Sequence, residues 1–587
     1  MSSLVPKVTR ELKMMRRTLR DVFGLEQLRP GQAEVIRSVL EGVNTLAVMP
    51  TGAGKSLCYQ LPALHIPGTT VIISPLISLM KDQVDKLGEA GLDAAQLNSA
   101  LTTREQGQNL AQITANSSDF VFTTPERFTT QEFLATLRQK EIDFVVIDEA
   151  HCISEWGHDF RPAYLSLGAA IKTLGSPPVL ALTATATPEV TADIEKQLGL
   201  ERFRIINTGI HRPNLRYEVV RVTNEAEKHE RLLRLLRETE GTGIIYAATV
   251  KTVDALAEWL KGFEFRIEKY HGRMSASERR ENQELFMSGE LKAIIATNAF
   301  GMGIDKPDVR FVIHYQMPGS LEAYYQESGR AGRDGNPARC SLFYQLSDRR
   351  TQQFFLGGKH PKFNDILTVY NALESLGAAE TPAPLVSVQE HAVGAADNKV
   401  RVILALLKEM KLVRELRGGR FRLLDADLEQ NELEELARLS EEKAARDREK
   451  LERMMLYGQS AACRWRLLHD YFGEEIEAER CETCDNCQQP PDGQTVETSV
   501  NNHYLKSIYP RPAISAASRT ASGRVAARSA SQALETSDAS LSVGDTIEHL
   551  QYGAGRVESL EGDKVVIKFE GGETRKFKEE FVREHKR

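Results

Sequence analysis

The chain has 587 residues, 75 Lys plus Arg against 82 Asp plus Glu, and 41% hydrophobic residues. That length predicts several domains with ample cores, and the composition is that of a globular protein, neither fibrous nor disordered. No apolar run approaches the ~20 residues needed to span a bilayer, and the basic stretch 1–20 lacks the apolar core of a signal peptide, so a cytoplasmic protein with no membrane partner is expected.

In chain order, apolar runs predict buried strands over Thr45–Met49, Thr70–Ser74, Phe120–Thr123, Phe144–Ile147 and Val179–Leu182, alternating with helical segments. A second alternating series predicts strands Gly243–Ala247, Arg266–Tyr270, Ala293–Thr297, Arg310–Tyr315 and Cys340–Tyr344, with a seam near 205–220. Two α/β domains with parallel sheets follow from this alternation. Helical spacing then marks Asp365–Leu376 and Lys399–Met410, and Leu412–Leu424 alternates around Gly418-Gly419 as a hairpin does. Helices followed by a basic hairpin suggest a winged helix, whose tip Arg417–Arg422 could contact duplex DNA or serve only as packing. The charged helix Leu428–Tyr457 reads as a solvated strut. Residues 488–540 have linker composition. Four short strands near Thr546–His549, Gly555–Leu560, Val565–Phe569 and Thr574–Phe577 predict a small terminal barrel.

Chemistry enters at Met49-Pro-Thr51-Gly52-Ala53-Gly54-Lys55-Ser56, which follows the first strand. Such a glycine-containing loop lets backbone N–H groups wrap a phosphate, Lys55 reach the β- and γ-phosphates and the Ser56 hydroxyl take Mg²⁺. Met49 stands where the strict pattern has its first glycine. Asp148-Glu149-Ala150-His151 ends another strand: Asp148 would complete the metal site and Glu149 would polarise the attacking water. Together the two segments predict nucleoside triphosphate hydrolysis. In Gln326–Asp334, Arg330 and Arg333 are three apart, on one face if the segment is helical, and suit a transferring γ-phosphate. Ser74, Thr124, Thr297 and Asn298 fall at the C-terminal rims of predicted strands, where ligands sit in open sheets, and suit phosphodiester contacts. With a net charge of −7, any claim on nucleic acid must rest on such local features.

These motifs resemble those of superfamily 2 helicases, and specifically the RecQ family. Phe23-Gly24 with Leu28–Gln32 is similar to the family's adenine-reading segment, which implies nucleotide contacts by Arg29 and Gln32; Leu25 stands where some members carry a stacking aromatic. Ala150–Tyr164 resembles the family's aromatic-rich loop, with Trp156 and Phe160 as stacking faces, Arg161 as a charge and His158 as an exchangeable partner. Ala299–Asp308 is similar to the fifth motif. Cys463, Cys481, Cys484 and Cys487 resemble the family's zinc module; four thiolates suit structural Zn²⁺, while C-x₂-C-x₂-C leaves an iron–sulfur cluster as the rival.

The resemblance implies two RecA-like parallel-sheet domains (1–208 and 209–357), a winged-helix-like domain (358–426), a helical zinc-binding module (427–490), a linker (491–540) and a small C-terminal β-barrel (541–587). It implies an ATP-dependent 3′→5′ DNA helicase that moves on single-stranded DNA, opens tailed duplexes and acts in repair or recombination. Gln326 would position water or relay closure. The winged helix stands before the zinc cysteines, whereas in the usual order it follows them. The terminal barrel is similar to the Tudor-like tail of UvrD and PcrA helicases, which implies RNA polymerase as a partner. An RNA helicase, or a polymerase-bound ATPase that remodels without separating strands, are the alternatives.

Overall fold

The computed structural model describes residues 14–115, 119–157, 159–301, 304–416, 418–424, 430–475, 478–490, 543, 546–549, 553–561, 564–569 and 574–578. The chain divides into two units, 1–512 and 513–587. In the first unit seven strands form an all-parallel sheet: β1 (Thr45–Val48), β2 (Thr69–Ile73), β3 (Ala94–Leu97), β4 (Phe120–Thr123), β5 (Ile142–Ile147), β6 (Val179–Thr183) and β7 (Arg204–Asn207). Their order is β3-β4-β2-β5-β6-β1-β7. The central strands are mostly apolar because helices cover both faces. β1, β2, β4 and β6 are buried throughout.

A second parallel sheet has β8 (Leu215–Arg221), β9 (Thr242–Tyr246), β10 (Ile267–Tyr270), β11 (Ala293–Ala296), β12 (Val309–His314) and β13 (Ala338–Tyr344). Its order is β10-β11-β9-β12-β13-β8. The boundary between the two sheets falls at 208–214, inside the expected seam near 205–220, with β7 and β8 on either side of it, each at the edge of its sheet.

Helices Phe363–Ser375, Leu385–His391 and Asp397–Glu409 pack with the antiparallel sheet β14 (Ala383–Pro384), β15 (Val413–Leu416) and β16 (Arg420–Leu423), in the order β14-β16-β15. This is the expected winged-helix-like arrangement; Arg417 of the hairpin lies outside the described residues. The helix Gln430–Gln459 that follows is no solvated strut. Its Leu451, Met454 and Tyr457 enter the core of the second sheet beside Ile244, Leu342 and Tyr344. Gly458 permits this docking, since a Cβ there would come within 2.3 Å of the Tyr344 ring.

The zinc-module residues extend the same core through Cys463, Trp465, Leu468 and Cys484. They also cover the open side of edge strand β8. The Val219 N–H donates to Asp485 Oδ2 at 2.9 Å, and Trp465 Nε1 donates to the Leu215 carbonyl at 3.3 Å.

Asp447 ties the long helix to helix Asp348–Lys359 and its end, accepting from Lys359 at 2.8 Å and lying 2.9 Å from His360 Nε2. Burial opposes its charge, yet the hydrogen bonds from His360 and Lys359 hold its carboxyl well below the usual carboxylate range. A depressed carboxylate contributes stability above its unfolded pKa, near 4, and loses that contribution as pH falls. Asp447→Asn is therefore expected to lower stability at pH 7 by on the order of 1 kcal/mol. The gap between the melting curves of the two proteins should begin to narrow below about pH 4 and go on narrowing as pH falls toward the depressed pKa of the folded carboxyl; a constant gap would contradict the pairing.

In the second unit β17 (Thr546–His549), β18 (Gly553–Glu561), β19 (Lys564–Phe569) and β20 (Thr574–Lys578) form an antiparallel sheet in chain order. The four strands expected for the terminal barrel are present, and among the described residues no pairing joins β17 to β20. All of the expected linker, 491–540, lies outside the described residues.

Candidate functional site

The loop after β1 and the carboxylates after β5 meet at the C-terminal rim of the first sheet, because β1 and β5 flank β6 in a parallel arrangement. They form one wall of a cavity of about 590 Å³; the other wall carries Asp305, Arg330 and Arg333 from the second sheet's loops and Gln326 from helix Leu321–Ser328. Lys55 Nζ donates to the Met49 carbonyl at 3.3 Å. Burial pushes its pKa down, against the pull of Glu149 and Asp148. Burial, together with Glu149, pushes the Asp148 carboxyl up to about 7, although Lys55 and a Ser74 hydrogen bond oppose the shift. Two carboxylates and an ammonium confined this way suit a polyphosphate with a divalent cation.

Glu149 holds a left-handed backbone, φ 49°, which is unfavourable for a residue with a Cβ and is kept at sites where geometry matters. Its carboxylate lies 3.3 Å from His151 Nδ1. That nitrogen also lies 3.0 Å from Thr183 Oγ1, whose hydroxyl donates to the Thr185 carbonyl. His151 Nδ1 is then the donor, and the motif is tied directly to the end of β6.

Gln32 is 1% exposed, and its amide is engaged with the phosphate loop. It donates to the Ala53 and Gly54 carbonyls at 3.0 and 2.9 Å and accepts from Arg29 N–H at 2.7 Å. Arg29 itself donates to the Gly52 carbonyl. The two residues thus brace the loop as well as bordering the cavity, where Phe23 and Leu25 supply apolar wall.

The helix of the Gln326 segment ends at Ser328, so Arg330 and Arg333 lie on the turns beyond it, which corrects the helical-face expectation. Arg330 is 6% exposed and donates to the Gly301 carbonyl, while its Nε has no hydrogen-bond partner among the described residues. Arg333 pairs with Asp305 at 2.7 Å, and Asp305 also pairs with Lys86 of the first sheet's side at 3.2 Å. Arg212, in the stretch read as a seam, was missed from sequence. It donates to the carbonyls of Gly329, Ala331 and Gly332 at 2.6 to 2.8 Å, pinning the arginine loop. A Cβ at Gly52 would lie 3.4 Å from Arg333 and 3.6 Å from Arg212, so both approach the phosphate loop.

The expected strand contacts are placed unequally. Ser74 is buried and its hydroxyl donates to Asp148 at 3.2 Å, toward the nucleotide cavity. Thr124 is buried and caps the short helix Pro125–Phe128, accepting from Arg127 N–H. Thr297 is buried, while Asn298 lines a second cavity of about 260 Å³ with Asp159, Ser320 and Lys450. Gln326 and Arg330 line both cavities. Trp156 is 45% exposed; Phe160 and Arg161 are half-buried, with Arg161 paired to Asp159 at 3.0 Å. His158 lies outside the described residues. Gly157 lets this loop fold onto the carboxylate motif, since a Cβ there would sit 2.4 Å from the His151 carbonyl oxygen.

Cys463, Cys481, Cys484 and Cys487 place their Sγ atoms within 4.8 Å of one another, close enough for four thiolates to share one tetrahedral ion. The donor set fits zinc. Among the described residues no further cysteine extends this set toward a ferredoxin pattern.

Three families match along the chain: DEAD/DEAH box helicase over 29–194, helicase conserved C-terminal domain over 227–335, and RecQ zinc-binding over 424–488. The ATP-dependent DNA helicase RecQ of Bacillus subtilis is 47% identical over 336 residues, which cover 57% of this chain and 56% of that protein. The probable ATP-dependent DNA helicase RecS of the same organism is 42% identical, covering 61% of this chain and 73% of that protein. RecQ of Synechocystis sp. is 34% identical over 488 residues, covering 80% of this chain and 97% of that protein. Against the Bacillus subtilis and Pasteurella multocida RecQ proteins, the chain spans little more than half their length, 56% and 52%. Among solved structures, that of the DUF1998 helicase MrfA bound to DNA aligns over 71% of this chain and 60% of that one, with TM-score 0.48 and 20% identity.

Proposed function

The chain belongs to the RecQ family, and from that premise we propose that it is an ATP-dependent DNA helicase moving 3′→5′ along single-stranded DNA and opening tailed duplexes. The observation that carries the proposal is the divided cavity: phosphate loop and carboxylates on one lobe, arginines on the other. ATP bound there draws the lobes together and hydrolysis lets them part, which is the cycle a translocating motor needs.

In this reading the backbone of Thr51–Gly54 and Lys55 hold the phosphates, and Arg29 and Gln32 border the base. Ser56 and Asp148 would hold Mg²⁺, which neutralises charge on the phosphates. Glu149 orients the attacking water with Gln326 nearby. Arg330 and Arg333 meet the charge that develops on the γ-phosphate. The strand crosses the second cavity past Asn298 and stacks on Trp156 and Phe160, with Arg161 supplying charge.

Unwinding of 3′-tailed and 5′-tailed duplexes with ATP, beside Lys55→Ala, tests the proposal. Opening of only the 3′-tailed substrate, absent in the variant, is expected; turnover of ATP with neither duplex opened would defeat it. Trp156→Ala is expected to lose most of the stimulation of ATP turnover by a DNA strand, since stacking on an aromatic contributes about 1–3 kcal/mol per base. An unchanged stimulation ratio would remove Trp156 from the strand path. Docking of the terminal strands on RNA polymerase rests on the sequence resemblance alone; deletion of 541–587 without effect on polymerase pull-down would end it.

A further inference from the structure

The long helix presents a row of cations to the aromatic loop. Lys443, Arg446 and Lys450 are three and four residues apart and so share one helix face. Lys443 Nζ lies 5.2 Å from the Phe160 ring centroid and 3.6 Å from the Glu155 carboxylate. The Arg446 guanidinium lies 4.6 Å from the Trp156 ring centroid. Lys450 Nζ donates to the Trp156 carbonyl at 2.6 Å and pairs with Glu322 at 3.4 Å. Both aromatic faces assigned above to unpaired bases thus already have cation partners.

Glu322 and Gln326 stand one turn apart on helix Leu321–Ser328, and Gln326 reaches the nucleotide cavity. Lys450 therefore touches, on one side, the loop that senses a strand. On the other side it touches the helix that carries a cleft residue.

We propose that Lys450 is a positioning residue that seats the aromatic loop while no strand is bound, and that single-stranded DNA unseats it, relaying occupancy through Glu322 to Gln326. The inference rests on the DNA-strand reading above and adds the control of that site. The exchange is balanced in kind. Bases can replace the cations on the Trp156 and Phe160 rings, and phosphates can replace the rings and the carbonyl as partners of Lys443, Arg446 and Lys450. A ligand needs both halves. A duplex keeps its bases stacked and a bare polyanion has none, so neither completes the exchange.

The test is ATP turnover by the full chain with no strand, with oligothymidylate, and with an abasic strand of equal length. Wild type should respond to oligothymidylate and not to the abasic strand. Lys450→Ala should raise strand-free turnover about tenfold, within the 5–150-fold span of site couplings, and lower the stimulation ratio to match. Lys450→Arg keeps a donor for the carbonyl and should restore the wild-type ratio, which a merely structural loss would not predict. Trp156 emission, taken as the difference from Trp156→Phe, should change with oligothymidylate alone. Should Lys450→Ala not fold, Arg446→Ala should move strand-free turnover in the same direction. Wild-type values in Lys450→Ala, or full stimulation by the abasic strand, would overturn the proposal and leave the motor reading intact. A wild type that no strand stimulates would overturn the motor reading itself.

Discussion

Arg330→Ala is expected to lower ATP turnover by roughly 10³–10⁵, the range that an arginine on the transferring phosphoryl group contributes in related enzymes. Its side chain is buried at the wall shared by the two cavities, and its Nε has no hydrogen-bond partner among the described residues. A buried, incompletely satisfied guanidinium is held for a ligand that brings the missing acceptor. The loss should fall on kcat, with KM for ATP changed far less, because the charge it meets grows only in the transition state. Arg330→Lys should recover little, since an ammonium cannot reproduce the planar fork. Turnover within tenfold of wild type in Arg330→Ala would transfer the role to Arg333 or Arg212, both of which approach Gly52.

Cys484→Ala is expected to remove zinc and to unfold much more than its own module. Cys484 is fully buried, its Sγ accepts from the Arg464 N–H at 3.4 Å, and it belongs to the core that also holds the second sheet. Structural zinc sites contribute about 10–16 kcal/mol of apparent binding free energy, comparable with the ~5–15 kcal/mol that keeps a typical domain folded. Metal content and melting temperature, measured for the variant and for chelator-treated wild type, give the check. An unchanged melting temperature without metal would separate the zinc from the stability of the second lobe. A brown wild type with visible absorbance would point to the iron–sulfur rival.

Both parallel sheets and the loops at their rims were legible in the sequence because buried parallel strands are written as unbroken apolar runs. The three strands that were missed, β3, β7 and β8, are all sheet edges. Their residues are half-exposed or alternate with charge, as in Leu215-Arg-Tyr-Glu218, so no apolar run announces them. Arg212 escaped notice for the same reason, since it lies between β7 and β8, where no element was expected. The charged helix was misread because only one narrow stripe of it is apolar, and that stripe meets a partner more than a hundred residues away. Its cations, which suggested solvent, face aromatic rings. The four cysteines needed only their spacing, whereas the Lys86–Asp305–Arg333 bridge needed the fold.

The cover that the zinc-module residues place over β8 has a consequence for solubility. An edge strand with open backbone donors and acceptors invites pairing with another chain, and here Asp485 and Trp465 occupy two of those groups. Loss of the metal would release both and leave β8 as a template for intermolecular strand addition. Chelated protein should therefore self-associate in a concentration-dependent way before it unfolds completely. On that account the ion protects the chain from its own copies, a service quite apart from any contact with nucleic acid.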